Sequence, residues 1–410
     1  MLQKILAAGV ALSALGSAYA DDAGTAAGAA GIPYGPVTVY PSIGLSATHD
    51  DNIYLNNAFR QSADYEVVSP GVKLLAQNRD DVYSLDYQAN LGRYSSSGTS
   101  NNDYTDQSLI GKASIVASTR AVFKLQPEFV IGHDQIGTTY GGIQFTPVPN
   151  KWRNTGISGI FGYGSEGAKG RVELAAGYLA TKYLNNRDLT FAYDKNTTDL
   201  GGTFFYRVMP KTSLLFQAKQ ERINYDNPGS LMPNNTIYYY LVGAKWEATA
   251  KTTGDFRIGR IQDRFDGYNP LFPNFSGIGW EGKITWNPKD YSRVMLDLSK
   301  QPIQTTLPGS NTDLVNSSTA DWAYDWSSRF TSHLTASRYT ENFGGAGVNT
   351  VNNSYGLSAD YQFRRWLKAN LGWTTWAKTA NSVTIPGVGF APTFFDYNRN
   401  VVMLTLTGTL

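Results

Sequence analysis

Few side chains in this chain of 410 residues could support acid–base or nucleophilic chemistry. It contains three histidines, His49, His133 and His333, and no cysteine. No G-x-S-x-G, H-E-x-x-H, phosphate-loop or dinucleotide-binding pattern accompanies them. The lack of cysteine excludes a thiolate metal site, a cysteine nucleophile and an acylated cysteine anchor. We therefore predict a protein that is not an enzyme and that has no cofactor and no bound metal.

A cluster of oxygen-bearing side chains follows the first histidine. Asp50, Asp51 and Asn52 stand next to each other, before Ile53 and Tyr54. Carboxylate and amide oxygens are ligands that Ca²⁺ prefers. The cluster lacks the regular alternation and the glycine of an EF-hand loop, however, so we interpret it as a solvated loop.

The remaining charges follow the spacing of β-strands. In segment 82–92, Tyr83, Leu85 and Tyr87 alternate with Ser84 and Asp86. A period of two predicts a strand with one apolar and one polar face, because successive side chains of a strand point to opposite faces. The same alternation recurs in segments 121–131, 238–247, 278–286 and 402–410.

Short turns with a basic residue separate pairs of these segments. They recur along the whole chain and centre on Arg79, Arg120, Lys169, Lys211, Lys251, Lys289, Arg329 and Arg365. Between one pair and the next lie longer stretches rich in Asn, Gly, Ser and Pro, such as 133–150 and 378–395. Short turns at one end and long loops at the other are typical of an antiparallel, up-and-down transmembrane β-barrel.

Strand length and aromatic residues favour a membrane barrel over a soluble sandwich, which also alternates. The segments are about as long as the 9 to 11 residues that a tilted strand needs to cross a bilayer, or longer. Aromatic residues crowd their ends, which suits interfacial girdles. Examples are Tyr238, Tyr239 and Tyr240; Trp322, Tyr324 and Trp326; and Trp373 and Trp376.

The N-terminus reads as an export signal. Lys4 precedes an apolar stretch, and Ala18, Tyr19 and Ala20 form a small-x-small cleavage pattern. We predict a signal peptide over 1–20, a flexible periplasmic leader over 21–36 and an outer-membrane barrel over 37–410. The eight turns, with one more strand at each end, give eighteen strands and leave both termini in the periplasm; sixteen is the alternative. The predicted location is the bacterial outer membrane, in contact with its lipids.

The polar faces of these strands are expected to line the lumen. A charge facing lipid costs a few kcal/mol near the bilayer midplane. In this register the pore-lining candidates are Lys124, Glu128, Lys219, Glu221, Lys245, Glu247, Asp255, Arg257, Glu281, Lys283, Arg293, Asp297, Asp360, Lys368 and Trp376. They could form a conduit for a hydrated solute or serve as ion pairs that brace the wall. Trp376 could stack on a sugar ring or anchor the interface. No basic stripe suggests nucleic-acid binding.

One strand and loop resemble a known family. Val39 to Leu45, running into Asp50 to Tyr54, resembles the first strand and loop of the β-barrel porins found in bacterial exopolysaccharide operons. The likeness is to EpsL-like outer-membrane proteins of exosortase-type polysaccharide clusters. This chain ends in Leu410, whereas many outer-membrane barrels end in Phe.

The resemblance implies export of a polysaccharide through the outer membrane. It also implies two partners, a periplasmic polysaccharide export protein and an inner-membrane copolymerase. It supplies no catalytic residue. Two alternatives remain open from the residues alone: a diffusion porin for small hydrophilic solutes, and a structural or anchoring barrel that acts through its loops.

Overall fold

The computed structural model describes residues 29–58, 60–95, 99–136, 146–165, 167–228, 233–249, 251–267, 274–304, 312–344, 347–381 and 396–410. The predicted signal peptide, 1–20, and the first part of the predicted leader lie outside the described residues. Within the described part of the chain, no helix is long and apolar enough to cross a membrane.

Nearly all of the described chain is extended. A short strand, β1, is followed by eighteen long strands of 12 to 17 residues. The strands are β1 Ile32–Tyr34, β2 Val37–Asp50, β3 Ala63–Asn78, β4 Asp81–Tyr94, β5 Tyr104–Ser118, β6 Ala121–Asp134, β7 Asn150–Tyr163, β8 Gly170–Tyr183, β9 Lys195–Met209, β10 Thr212–Tyr225, β11 Asn235–Thr249, β12 Thr252–Phe265, β13 Phe275–Lys289, β14 Ser292–Ile303, β15 Asp313–Ser327, β16 Phe330–Phe343, β17 Val348–Arg364, β18 Leu367–Ala380 and β19 Tyr397–Thr409.

Strands β2 to β19 form one closed antiparallel barrel. Each strand pairs with the next along the chain, and β19 pairs with β2, from Val401 opposite Asp50 to Thr409 opposite Ser42. Closure leaves no strand edge unpaired, which a barrel in lipid requires. The prediction of an eighteen-stranded antiparallel barrel is confirmed.

The end of the predicted leader is not a free segment. Residues Ile32–Tyr34 form β1, which pairs antiparallel with the start of β2. Gly35 lies at φ 60°, in the left-handed region that a tight turn needs and that glycine adopts without strain. The chain therefore folds back onto β2 just before the barrel begins, where the sequence predicted flexibility.

The loop before β9 is partly helical. Strand β9 begins at Lys195. It is preceded by a one-turn helix, Arg187–Thr190, and a 3-10 turn, Phe191–Tyr193. Arg187 donates two hydrogen bonds of 2.9 Å to the carboxylate of Asp194 and ties this loop together.

The two faces of the barrel wall differ in polarity. In β10, Leu214 and Phe216 are 41% and 51% exposed, whereas Leu215 between them is 0% exposed. The exposed apolar positions continue around the barrel, for example Leu174 in β8 and Tyr240 in β11. Because alternate residues of a strand face opposite sides, the apolar face is the outer, lipid-facing side, and the polar face lines the interior.

The eight short connections all lie at one end of the barrel. The sequence placed a basic residue at each, and the structure places these residues in the turns themselves or, for Lys289, at the end of β13. Both ends of the barrel chain, the start of β2 and the end of β19, lie at this same end. We call it the periplasmic end and the opposite one the outer end.

Outward-facing aromatic side chains gather near the periplasmic end. Tyr324 contacts Trp322 and Trp326, with ring centroids 6.1 and 4.7 Å away, and Tyr291 at 5.3 Å. This position suits an interfacial girdle. The prediction was wrong for Tyr239, which faces the interior and is 7% exposed, because it alternates with the outward-facing Tyr238 and Tyr240.

Candidate pore lining

The parity of the strands places fourteen of the fifteen predicted pore-lining residues on the barrel interior, opposite the exposed apolar side chains. Glu247 lies at the periplasmic end, next to a bulge in the pairing that follows Trp246.

Lys219 on β10 is the centre of one group of interior charges. Its Nζ lies 3.2 Å from Oδ1 of Asp199 on β9 and 3.3 Å from Oε2 of Glu221 on its own strand. It also lies 4.9 Å from the ring centroid of Tyr239. Only 12% of the Lys219 side chain is exposed, so its charge is compensated by these neighbours and not by bulk water.

Arg257 on β12 organises a second group on the same wall. Its guanidinium bonds both oxygens of Asp255, at 2.9 and 3.0 Å, and Glu281 on β13 at 3.1 Å. Lys283 is the register partner of both Asp255 and Asp297 on the neighbouring strands. Positive and negative side chains thus alternate along the wall, which leaves it polar with little local excess of charge.

A groove of about 400 Å³ opens on the opposite wall, across β15 to β19. His333 lies at its centre, with Nδ1 3.3 Å from Asp321 and Nε2 3.6 Å from Asp360. Asp360 also contacts Nζ of Lys368, at 3.4 Å, and accepts a hydrogen bond of 2.8 Å from Asn370. The remaining lining residues all carry hydroxyl groups: Thr335, Ser358, Thr405 and Thr407.

This groove is suited to hydrogen bonding and not to catalysis. Both ring nitrogens of His333 face carboxylates, so neither is set against the hydroxyl of Ser358 as a general base would be. The lining offers both hydrogen-bond donors and acceptors. Within the described residues, no group of His, Asp and Glu has the geometry to hold a metal ion.

Trp376 faces the interior, but the side chain of Arg399 covers one face of its ring. The guanidinium carbon of Arg399 on β19 lies 5.1 Å from the ring centroid, within the range of a cation–π contact. A sugar would therefore have to stack on the opposite face or displace Arg399. The sequence could not reveal this contact, because the two residues come from strands whose register it does not specify.

Interior side chains are far more buried at the outer end than at the periplasmic end. Asp50, Asn235, Asp263 and Thr350 are all fully buried. At the periplasmic end, interior residues such as Arg293, Asp325 and Lys368 are exposed. Interior side chains are therefore open to solvent toward the periplasm and packed against their neighbours toward the outer end.

An ion pair lies buried in this outer region. Nζ of Lys378 on β18 is 2.8 Å from Oε2 of Glu341 on β16, and the same oxygen accepts a 2.6 Å hydrogen bond from Thr350. The Glu341 side chain is 0% exposed and that of Lys378 is 10% exposed. Asp313, 2% exposed, lies beside β16 at the start of β15.

Aromatic and aliphatic side chains fill the outer interior on one side, across β8 to β12. We call this set the outer apolar cluster: Tyr183, Tyr193, Ile223, Tyr225, Ile237, Tyr239, Leu241 and Ile261, with Trp152 packed against it. Tyr193 comes from the loop before β9, so this loop turns into the barrel. The rings of Tyr183 and Tyr193 contact each other at a tilt, with centroids 6.0 Å apart. All eight members are buried and offer little free surface to a solute.

The cluster at Asp50 to Asn52 serves the closure of the barrel. Asp50 pairs with Arg399 on β19, with Oδ2 3.0 Å from Nε. Asp51 accepts hydrogen bonds from the backbone N–H and Nδ2 of Asn400, at 2.7 and 2.8 Å. The predicted solvated loop thus joins β2 to β19 through the bonds of Asp50 and Asp51 to Arg399 and Asn400. We call these contacts the clamp.

Several interior residues were not among those predicted to line the pore. They include Asp321 and His333 in the groove, the Glu341–Lys378 pair and Asp50 with Arg399. The parity of their strands places them on the polar face, so the alternation itself could have found them. Their pairings could not be found in this way, because they join residues up to 349 positions apart.

The relationships of the chain agree with this architecture. The family model described as "Putative beta-barrel porin 2" matches residues 25–409. The chain belongs to this family. It is accordingly an outer-membrane β-barrel of the porin type, located in the bacterial outer membrane. None of the curated proteins matches it.

Solved outer-membrane barrels are similar to this porin only at low sequence identity. OccAB3 of Acinetobacter baumannii is 10% identical, with a TM-score of 0.49, and the match covers 91% of this chain and 99% of that chain. OpdK of Pseudomonas aeruginosa gives the same four values. The FrpB iron transporter of Neisseria meningitidis, in its F5-1 apoprotein form, is 11% identical, with a TM-score of 0.48 and coverages of 93% and 82%.

Proposed function

We propose that this porin is a passage for exopolysaccharide across the outer membrane and acts by transport, without catalysis. The observation that carries the proposal is the interior wall, where paired charges and hydroxyl groups alternate. Such a wall offers hydrogen bonds to a polyhydroxylated chain at many positions, and its balanced charge avoids strong binding at any one of them. A conduit needs contacts that are favourable enough for entry and weak enough for exit.

The packing of interior side chains toward the outer end supports transport that is controlled. A barrel of 16 to 18 strands is wide enough for an aqueous channel unless side chains or loops fill it. An export passage that stayed fully open would let small solutes leak. The buried residues at the outer end and the open periplasmic end fit a channel that receives its polymer from the periplasm.

The proposed polymer and the proposed partners are inferred from the resemblance to porins of exopolysaccharide operons. We propose that a periplasmic polysaccharide export protein docks at the periplasmic turns and that an inner-membrane copolymerase acts upstream. The turns are suited to such docking because each carries a basic residue.

Diffusion of small hydrophilic solutes is the second candidate, and the open groove around His333 favours it. The two functions differ in conductance. In planar bilayers we expect the purified export passage to carry little steady current, and we expect the Tyr239→Ala variant to carry more, since it removes an interior ring from the outer apolar cluster. Tyr240→Ala, which removes the adjacent outward-facing ring, is the matched control and should leave the current unchanged.

Two other results would contradict this proposal. A large steady current through the unmodified barrel would favour the diffusion porin. No current in either variant, or under any voltage, would favour a structural barrel that acts through its loops.

A further inference from the structure

The outward-facing charges of the barrel are distributed unevenly. Apart from residues beside the periplasmic turns, those on the described strands all lie in the outer halves of their strands. On the arc from β7 to β14 they are all basic: Lys151, Arg153, Lys182, Arg222, Arg260, Arg264 and Lys300. The outward-facing acidic residues of the outer halves, Asp64 and Glu66, belong to β3, outside this arc.

Three of these residues form a compact group that we call the outer basic patch: Lys151 and Arg153 on β7 and Lys182 on β8. Arg153 is the direct register partner of Lys182. Side chains directly opposite each other in an antiparallel pair lie close together, and like charges there are destabilising. Lys151 lies on the same face of β7, two residues before Arg153 and closer to the outer end. The patch therefore concentrates three positive charges on one short stretch of the lipid-facing wall.

Protein carboxylates compensate these charges only in part. Lys182 forms an ion pair with Asp226, and farther along the arc Arg222 pairs with Asp266. Lys151 and Arg153 are exposed. Among the residues that the structure describes, no acidic side chain lies in ion-pair range of either one. Their cationic groups are thus available to a ligand from outside the barrel.

The position of the patch determines which ligand it meets. Its strands present apolar residues to lipid just below it, such as Ile157 and Tyr178. Lys151 and Arg153 are near the start of β7 and Lys182 is near the end of β8, so all three lie above these apolar residues at the outer end of the wall. The end of a wall that spans the bilayer meets the headgroups of the outer leaflet. Basic residues at the membrane surface attract anionic headgroups, and arginine matches a phosphate with two parallel hydrogen bonds.

We propose that the outer basic patch binds the phosphorylated sugar headgroup of a lipopolysaccharide molecule in the outer leaflet. A phosphate between Arg153 and Lys182 would offset their mutual repulsion, and Lys151 would contact the same headgroup. The adjoining arc, with Arg222, Arg260 and Arg264, would orient further lipids of this kind around the barrel. This site is independent of what passes through the lumen.

Binding of the isolated glycolipid tests this proposal. The full-length barrel in detergent is titrated with bis-phosphorylated lipid A and with its dephosphorylated form, and bound lipid is counted by native mass spectrometry. We expect the phosphorylated form to bind more tightly, with an affinity that falls as salt rises. The Lys151→Gln/Arg153→Gln variant should bind it about 30-fold more weakly, given the usual contribution of a basic residue at a membrane surface.

A matched double variant controls for general loss of charge. Arg93→Gln/Arg338→Gln removes two outward-facing basic residues from β4 and β16, away from the patch, and should change the affinity less than about twofold. Arg153→Lys, which keeps the charge, should retain most of the binding. Heat-modifiable migration on gels checks that each variant is folded. Equal binding of the two lipid forms, or an equal loss in both double variants, would overturn the proposal.

Discussion

Lys378 shows what a single interior residue contributes to this barrel. It forms an ion pair with Glu341, whose side chain is fully buried. A buried charge that loses its partner typically destabilises a protein by about 3–5 kcal/mol. We expect Lys378→Ala to lower the free energy of unfolding by about this amount, as measured by urea titration of the barrel in detergent micelles.

The double variant Lys378→Met/Glu341→Leu separates pairing from packing. It removes both charges while keeping similar volumes, so its stability should return close to that of the unmodified barrel. If the double variant were as unstable as Lys378→Ala, the loss would come from packing around Lys378 and not from an unpaired Glu341.

The seam between β2 and β19 is the element on which closure depends. Burial acts to raise the pKa of Asp51, but the hydrogen bonds from Asn400 and Arg60 outweigh it and lower the pKa below its ordinary value. A carboxylate with a lowered pKa stabilises the folded state above its ordinary pKa, and this contribution is lost as the pH falls through the lowered value. The clamp should therefore weaken in acid, below about pH 4.

The difference in stability between the unmodified barrel and the Asp51→Asn variant measures this effect. All other carboxylates titrate in both proteins, so their contribution cancels. Stability is followed from pH 6 to pH 2. We expect Asp51→Asn to be less stable near neutral pH and the gap to close as the pH falls. A gap that stays constant across this range would show that the Asp51 charge does not contribute to closure.

The packing of neighbouring strands is tight enough at one glycine to exclude any side chain. A Cβ added at Gly259 in β12 would lie 1.9 Å from the backbone oxygen of Tyr240 and 2.8 Å from Cα of Leu241. Backbone atoms cannot move aside cheaply, so Gly259→Ala should cost about 1–3 kcal/mol of stability or prevent folding.

Gly372→Ala in β18 is the matched control for this substitution. Its added Cβ would lie 3.5 Å from Cβ of Ser358, an ordinary contact distance. It should therefore leave stability nearly unchanged in the same unfolding assay. Equal stability of the two variants would mean that β11 and β12 separate easily at Gly259.

At the scale of the elements, most of the fold could be predicted from the sequence. The alternation in segments such as 82–92 places apolar residues on lipid, because a charge there is costly, and this rule alone positions the interior residues. This rule does not apply to short segments in which apolar and polar residues do not alternate. Ile32–Tyr34 is only three residues long, too short to show an alternation before it folds onto β2. The turn of Phe191–Tyr193 into the barrel depends on contacts of Tyr193 with residues such as Ile223 and Ile237, which lie farther along the chain.

The groove around His333 illustrates the same limit. The parity of β15 to β17 places Asp321, His333 and Asp360 on one face, but their distances depend on the register of two strand pairs. Strand register is fixed by turn geometry and packing along the whole strand. The sequence therefore predicts a polar wall but not the groove within it.

At the scale of the whole molecule, the basic turns form a ring of positive charge at the periplasmic end. If a periplasmic export protein docks there, its affinity should depend on these charges in a graded way. We expect Lys211→Glu/Lys251→Glu/Lys289→Glu to reduce co-purification of that partner strongly, and the corresponding glutamine variant to reduce it less. Unchanged co-purification with both triple variants would show that the basic turns do not bind the partner and only mark the periplasmic side of the barrel.

Export of polysaccharide is the central claim for the molecule, and the amount of polymer on each side of the outer membrane tests it most directly. Polysaccharide is measured at the cell surface and in the periplasm of a strain lacking this gene, with and without the gene restored. The proposed passage predicts that surface polymer is lost while synthesis continues and polymer accumulates inside, and that restoring the gene reverses both changes. Normal surface polysaccharide in the deletion strain would contradict the account.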